Sequence, residues 1–491
     1  MASRPVARRP AALVVPRARR ARVSWPAMGL GAVGAAALGG WLRFPTYPNY
    51  DAYSALVWGR ELLHGTAPGF DGYRAPTEHP LTVAAGALLA LAGPDADRLL
   101  VGATLAAFVA LAAGLYRLGA TAFGPAIGLV AAVLLCTRFD LPFLALRGYV
   151  DVPYLALVVW AAALETQRPR RGAPVLGLLA LAGLLRPEAW LLAGLELAWC
   201  WPRLVARERA VLVAIALAAP CGWALTDLAV TGDPLFSFTH TSGLAEELGR
   251  RQGAGAIPAA ALEFLRGLDK TPVVAAGALG VVLALARWPR RARVPLTLLA
   301  AGSATFALVG LAGLSVVFRY LLLPAVVLLL FAGLAAAGWT LLEPGAPARR
   351  AWALACAVAI GAGTAYMAVH VSPGNFTTEL DFRRDSHVAL VALLRDPAVR
   401  AARRCGPVSL PNHRLVPEVR WILRAGPADV VARSDRAQRR RVRRGGVAVY
   451  ATSPTAFRRY GFSPDRVTVA LPLPGYRRAA TTAHFGAYVR C

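Results

Sequence analysis

Lysine is almost missing from this chain of 491 residues: Lys270 is its only instance among 54 basic side chains, the rest being arginine. A formal net charge of +27 would suit a nucleic-acid binder, but the arginine skew reads as a compositional bias. Many of the arginines also fall in short loops between apolar runs, where the positive-inside rule places them. Nucleic acid is therefore excluded as a partner. Cysteine is scarce, with six residues. Cys136, Cys200, Cys221 and Cys356 lie in or beside apolar runs and read as small apolar side chains. The spacing of the six matches no zinc motif. Alternating strands of roughly ten residues, which a membrane barrel requires, are absent as well.

What the chain has is apolar sequence in long runs. Hydrophobic residues make up 57% of it, and the mean hydropathy is +0.49. Residues 101–115, 211–220, 273–286 and 321–338 are such runs, rich in Leu, Ala, Val and Gly. Only helices and closed barrels satisfy every backbone polar group in lipid, so these runs predict transmembrane helices. Spans are expected near residues 23–43, 98–118, 125–140, 150–165, 174–186, 188–202, 210–230, 272–288, 294–316, 320–340 and 351–371, about eleven in all.

The basic loops set the orientation. With residues 1–22 in the cytoplasm, Arg168 to Arg171, Arg203 to Arg209, Arg287 to Arg293, and Arg349 with Arg350 all fall on the cytoplasmic side. The first loop, 44–97, and the region 372–491 then lie outside. Residues 81–93 fall short of the length needed to cross and read as a helix lying at the outer interface or dipping into the membrane. Beyond residue 372, short apolar runs at 407–410, 446–450 and 467–473 alternate with a helix at 416–424, as in a small α/β domain. The predicted fold is thus mainly α: a polytopic helical bundle at 23–371 with outer interfacial helices and a C-terminal α/β domain. Cys405 and Cys491 bracket that domain, in a compartment where a disulfide persists.

Three outer segments gather polar and aromatic residues. The first reads FPTYPNYDAYSALVWGRELLHGTAPGFDGYRAPTEHP over residues 44–80 and contains Asp51, Arg74, Glu78 and His79. Its part 51–64 has helical spacing, with Leu56, Leu62 and Leu63 available to rest on the membrane. The second, 147–154, holds Arg147, Tyr149 and Asp151. Arg147 and Asp151 are spaced for an i,i+4 ion pair. The third, Arg186-Pro187-Glu188, interrupts an apolar run, either as an ion pair capping the turn or as a functional site.

The order of these segments resembles the membrane glycosyltransferases of the C superfamily that use polyprenyl-phosphate sugars, in the branch of protein mannosyltransferases and lipid A aminoarabinose transferases. The resemblance is carried by Asp51 with the helix ending at Gly65, by Glu78-His79-Pro80-Leu81, by Asp97-Arg98-Leu99, and by Arg147 with Asp151-Val152-Pro153. Thr231-Gly232-Asp233-Pro234 and Arg319-Tyr320 through Pro324 complete it. It spans most of residues 25–340. Asp51 is followed by Ala52 where the family often has a second acid, and the family's double proline is reduced to Pro80.

The resemblance implies a plasma-membrane enzyme that transfers a sugar from a polyprenyl phosphate to a lipid, glycan or protein acceptor, with inversion. Asp51 would act as general base, with Asp151 as the second carboxylate. Arg74, Arg147 and Arg319 would meet the phosphate. Glu78, His79, Tyr149, Arg186, Glu188 and Tyr320 are further candidates for substrate contacts. Asp51 and Asp151 are also the oxygen ligands available for a divalent cation, Mg or Mn. A transporter or flippase of lipid-linked sugars would instead show paired inverted repeats with broken helices. A scaffold without activity would tolerate replacement of the first-loop residues.

Overall fold

The computed structural model describes residues 25–251, 253–370, 374–442, 445–461 and 473–491. The basic segment 1–22, Arg443, Arg444 and most of the run 467–473 lie outside the described residues.

The described chain is mainly helical. It opens with α1 (Trp25–Arg43), α2 (Tyr50–Leu63), α3 (Pro80–Ala90), α4 (Ala96–Ala122), α5 (Pro125–Cys136) and α6 (Asp140–Leu146). Next come α7 (Asp151–Gln167), α8 (Ala173–Leu185), α9 (Ala189–Cys200), α10 (Ala206–Thr231) and α11 (Phe236–Glu247). The bundle ends with α12 (Ile257–Asp269), α13 (Thr271–Arg287), α14 (Pro289–Leu311), α15 (Leu322–Ala337) and α16 (Pro347–His370). A helix stands at each position where a span was expected. By length and composition four stretches qualify alone: Gly93–Ala122, Ala206–Thr231, Pro289–Leu311 and Phe318–Leu341. Two bent pairs, α5 with α6 at 62° and α12 with α13 at 107°, bring the number to at most six. α3 is short, as its sequence predicts, and packs on α2.

Leu38, Leu42, Leu225, Val282 and Ile360 are more than half exposed, a surface that hydrocarbon tolerates and water does not. α15 sits at the centre, buried on nearly every side. Close packing there depends on glycine. A Cβ on Gly280 of α13 would stand 1.9 Å from the Phe331 carbonyl oxygen of α15, so only a missing side chain lets these backbones meet. Gly59 and Gly86 do the same where α2 crosses α3, since a Cβ on Gly59 would lie 2.2 Å from the Ala87 nitrogen.

Two of the basic loops, 168–171 and 287–293, meet at one end of the bundle. Glu165 accepts from the Arg170 amide at 2.8 Å and from Trp199 Nε1 at 2.8 Å. Arg170 and Arg293 both lie over the Trp199 ring, at 4.3 and 4.4 Å. The first loop is at the opposite end, a separation of about 25 Å along α7.

α17 (Gly374–Arg395) links bundle and C-terminal domain, with Leu380 in the bundle core and Phe382 in the domain core. The domain continues through α18 (Pro397–Ala402), β1 (Val408–Leu410), α19 (Val416–Leu423), β2 (Val430–Ala432), α20 (Arg436–Val442), β3 (Gly446–Ala451), β4 (Arg477–Thr481) and β5 (Phe485–Arg490). The sheet order is β2-β1-β3-β5-β4, with β2, β1 and β3 parallel and β5 antiparallel to β3 and β4. A disulfide joins Cys405 to Cys491. Arg433 is fully buried beneath this sheet, donating to the carbonyls of Ser409 at 2.7 Å and Val449 at 2.6 Å.

The domain is seated on the first loop. Trp421 of α19 packs in one cluster with Tyr53, Leu56 and Leu100. Tyr47 stacks on His387 at 3.5 Å, His387 pairs with Glu418 at 2.8 Å, and Arg420 pairs with Glu61. Leu56 is therefore core beneath the domain, whereas the sequence suggested a membrane contact. Leu62 and Leu63 stay exposed.

Candidate active site

Backbone anchoring brings the two aspartates together. The chain before α2 is fastened to the segment before α7: Thr46 Oγ1 donates to the Leu146 carbonyl at 2.7 Å. The Asn49 amide and Nδ2 donate to the Arg147 carbonyl at 2.8 and 3.0 Å. Asn49 also caps α2, its Oδ1 accepting from the Asp51 amide at 2.7 Å. Asp51 and Asp151 thus occupy the first turns of two neighbouring helices, where the helix dipole favours a carboxylate.

Arg319 closes the arrangement from the turn that precedes α15. Its Nη1 lies 3.0 Å from Asp51 Oδ2 and 3.5 Å from Asp151 Oδ2. Asp151 also pairs with Arg186, which reaches Glu188 through Nε at 2.8 Å. Arg186 lies over the rings of Tyr320 at 5.0 Å and Tyr154 at 5.7 Å, and Arg319 over Tyr149 at 5.6 Å. The side chain of Asp51 is 26% exposed and that of Asp151 only 1%. The two carboxylates therefore differ in use: Asp51 is open to a ligand, and Asp151 is a buried anchor for two guanidinium groups.

His79 lies beside this cluster, edge-on to Trp223 at 5.7 Å. Desolvation, and then the positive charge of Arg186, press its pKa down to about 4, so the ring is neutral at pH 7. Its neighbour Glu78 is fully buried and turned toward α10 and α11. Ser237 Oγ lies 2.6 Å from Glu78 Oε1 and 2.8 Å from Asp227 Oδ1. A hydroxyl carries a single hydrogen, so a second hydrogen bond here needs a proton on one of the two carboxyl groups. Burial, and then the hydrogen bond with Asp227, raise Glu78 to about 8.

Two residues of the sequence-derived set lie elsewhere. Arg147 is buried, and its guanidinium donates to the Tyr47 carbonyl. Its charged neighbours are Arg383 and Glu418 of the C-terminal domain. Among the described residues the ion pairs of Asp151 are with Arg186 and Arg319, so the i,i+4 spacing of Arg147 and Asp151 does not make a pair. Arg74, left-handed at φ 53°, is held by Glu247 at 2.8 Å.

Five participants escape sequence reading. Asp227 carried a signal, an acid inside an apolar run, whereas Glu247 and Ser237 carried none. Arg250 follows α11 and lies within the electrostatic reach of Arg319 and Asp51. His413 of the C-terminal domain stands edge-on to Tyr50 at 5.2 Å.

No family model and no curated protein matches the sequence. Solved structures do. The chain resembles the crystal structure of ArnT from Cupriavidus metallidurans bound to undecaprenyl phosphate, with a TM-score of 0.58 and 14% identity over 94% of this chain and 98% of that one. Against the apo state of the same protein the TM-score is 0.54, again at 14% identity, over 95% of this chain and 98% of the other. Over nearly the whole length of both chains, this chain shares the fold of ArnT.

Proposed function

We propose that this chain is a membrane glycosyltransferase that moves a sugar from a polyprenyl-phosphate donor to an extracytoplasmic acceptor, with inversion at the anomeric carbon. The observation that carries the reading is the convergence of Asp51 and Asp151 on Arg319, in a fold shared with a protein that binds undecaprenyl phosphate. The acceptor hydroxyl attacks the anomeric carbon on the face opposite the phosphate. Asp51 takes its proton as the new bond forms, because a hydroxyl is a poor nucleophile at neutral pH. The bond from the anomeric carbon to the phosphate oxygen breaks, and negative charge builds on the lipid phosphate. Arg319 and Arg250 are the guanidinium groups placed to receive it, and Arg319, in turning to the phosphate, frees Asp51 to act as base. Asp151 positions Arg319 and Arg186 and touches no reacting atom.

A divalent cation does not fit this cluster well. Asp51 and Asp151 would bind one only by displacing Arg319, and no group of three ligating side chains is gathered among the described residues. No step is routed through such an ion. The N-terminus is assigned to the cytoplasm and the C-terminal domain to the outside, supported by the meeting of those two basic loops and by the Cys405–Cys491 bridge.

The test is transfer by purified full-length protein from a panel of polyprenyl-phosphate sugars. Asp51→Asn is expected to lose at least about a hundredfold in rate with its melting temperature unchanged. Full turnover by this variant would remove Asp51 as base.

A further inference from the structure

A cleft of about 750 Å³ opens where the C-terminal domain meets the first loop. One wall is made by the ends of α2 and α3, the other by α17 and the segment following α19. Three guanidinium groups border it: Arg60, Arg395 and Arg424. Among the described residues none of the three has a carboxylate partner. Two acids line the same cleft, and both are engaged: Glu61 pairs with Arg420, and Asp97 accepts from the Tyr53 hydroxyl at 3.0 Å and the Arg98 amide at 2.7 Å. With Glu61 paired, three guanidinium groups stand against the one carboxyl of Asp97, and the balance of charge in the cleft is positive. Burial, and then the like charge of Arg420, hold the Arg60 guanidinium below its ordinary value.

The rim has the opposite character. Leu63 and Leu91 line the cleft while 47% and 72% exposed, and Leu62 and Leu88 beside them are 47% and 72% exposed. A soluble anion makes no use of such a rim. An amphiphile does, its chains covering the leucines and its headgroup reaching the arginines.

We infer that this cleft binds the phosphate headgroup of an anionic phospholipid, with the acyl chains over Leu63 and Leu91. The site is distinct from that of sugar transfer, because Arg60 lies nine positions after Asp51 on α2, about 14 Å along the helix. Its two walls belong to the membrane bundle and to the C-terminal domain, so an occupied cleft ties the domain down to the lipid surface.

The experiment uses the purified full-length chain in neutral detergent, titrated separately with phosphatidylglycerol, phosphatidylcholine and inorganic phosphate, and read by native mass spectrometry and melting temperature. Wild type is expected to retain phosphatidylglycerol at least tenfold more tightly than phosphatidylcholine and to melt higher with it. Arg395→Ala with Arg424→Ala, two exposed side chains, should abolish that preference and the rise in melting. Leu63→Ser with Leu91→Ser should weaken lipid retention while leaving any phosphate binding unchanged. Equal retention of phosphatidylglycerol by wild type and the arginine variant would overturn the site. Inorganic phosphate binding as tightly as the lipid would overturn the lipid assignment. Neither readout involves sugar transfer, so the result stands apart from the proposed enzyme activity.

Discussion

Asp151 and Arg147 are four positions apart, and their surroundings differ entirely. Among the described residues Asp151 is the one anion paired with both Arg186 and Arg319, and its side chain is 1% exposed. Asp151→Asn leaves Arg186 with Glu188 and Arg319 with Asp51, so a loss of about 1–3 kcal/mol in unfolding free energy is expected from denaturant titration. In double-mutant cycles on the transfer rate, Asp151 and Arg319 should couple by about 0.5–3 kcal/mol, whereas Asp151 and Arg147 should add within about 0.5 kcal/mol. Coupling of the Arg147 pair alone would invert the assignment. Glu78 offers a test by pH. Its pKa of about 8 exceeds the ordinary 4.5, so the folded state holds a proton that the unfolded state releases. Its stabilising contribution is fully present below about pH 4.5, declines as pH rises, and is gone above about pH 8. Glu78→Gln keeps the neutral amide and should flatten melting temperature against pH across that window. An unchanged slope would place the proton elsewhere.

Helices meet closely here because small residues stand at the crossings. α13 and α15 touch through Gly280, where any Cβ would collide with the Phe331 carbonyl. Gly280→Leu is expected to cost more than the roughly 1–3 kcal/mol of ordinary overpacking, because the obstacle is backbone and cannot swing aside. Gly29→Leu on α1, with nothing within 4 Å of its Cβ position, should be tolerated. Size-exclusion profiles and melting of the two variants in detergent test the contrast, and equal behaviour would deny that α13 and α15 pack as described. The same geometry explains how short helices such as α8 and α9, with 13 and 12 residues, belong to the bundle. Each is buried along one face by neighbours, so packing within the protein compensates for limited length.

At the scale of the whole molecule, the C-terminal domain is joined to itself by a disulfide and to the bundle by side chains of the first loop. Cys405 precedes β1 and Cys491 follows β5, with a sequence separation of 86. Closing a loop of that length restricts the unfolded chain by about 4–5 kcal/mol on the chain-entropy estimate. Cys405→Ser with Cys491→Ser should lower the domain's stability by that order, read as earlier protease cleavage between α17 and β5 on heating. Cleavage at the same temperature as wild type would show that docking on α2, through Trp421 and the Arg420–Glu61 pair, suffices alone.

The sequence by itself determined the class of this protein and the places of its helices. Apolar runs have one stable form in lipid, and that is a local property of each run. It also located Asp51, Asp151, Arg186 and Arg319, since charges bordering such runs stand out. It could not decide their partners. Spacing along one helix suggested Arg147 for Asp151, but Arg186 and Arg319 arrive from the turn after α8 and the turn before α15, and no local pattern encodes that meeting. Leu56 read as lipid-facing because the docked domain that covers it is recorded only in long-range contacts. The protonation of Glu78 likewise depends on Asp227 and Ser237, brought to it by α10 and α11. Which side chains share a charge is settled by distances across the fold, because Coulomb and hydrogen-bond energies depend on separation in space and not along the chain.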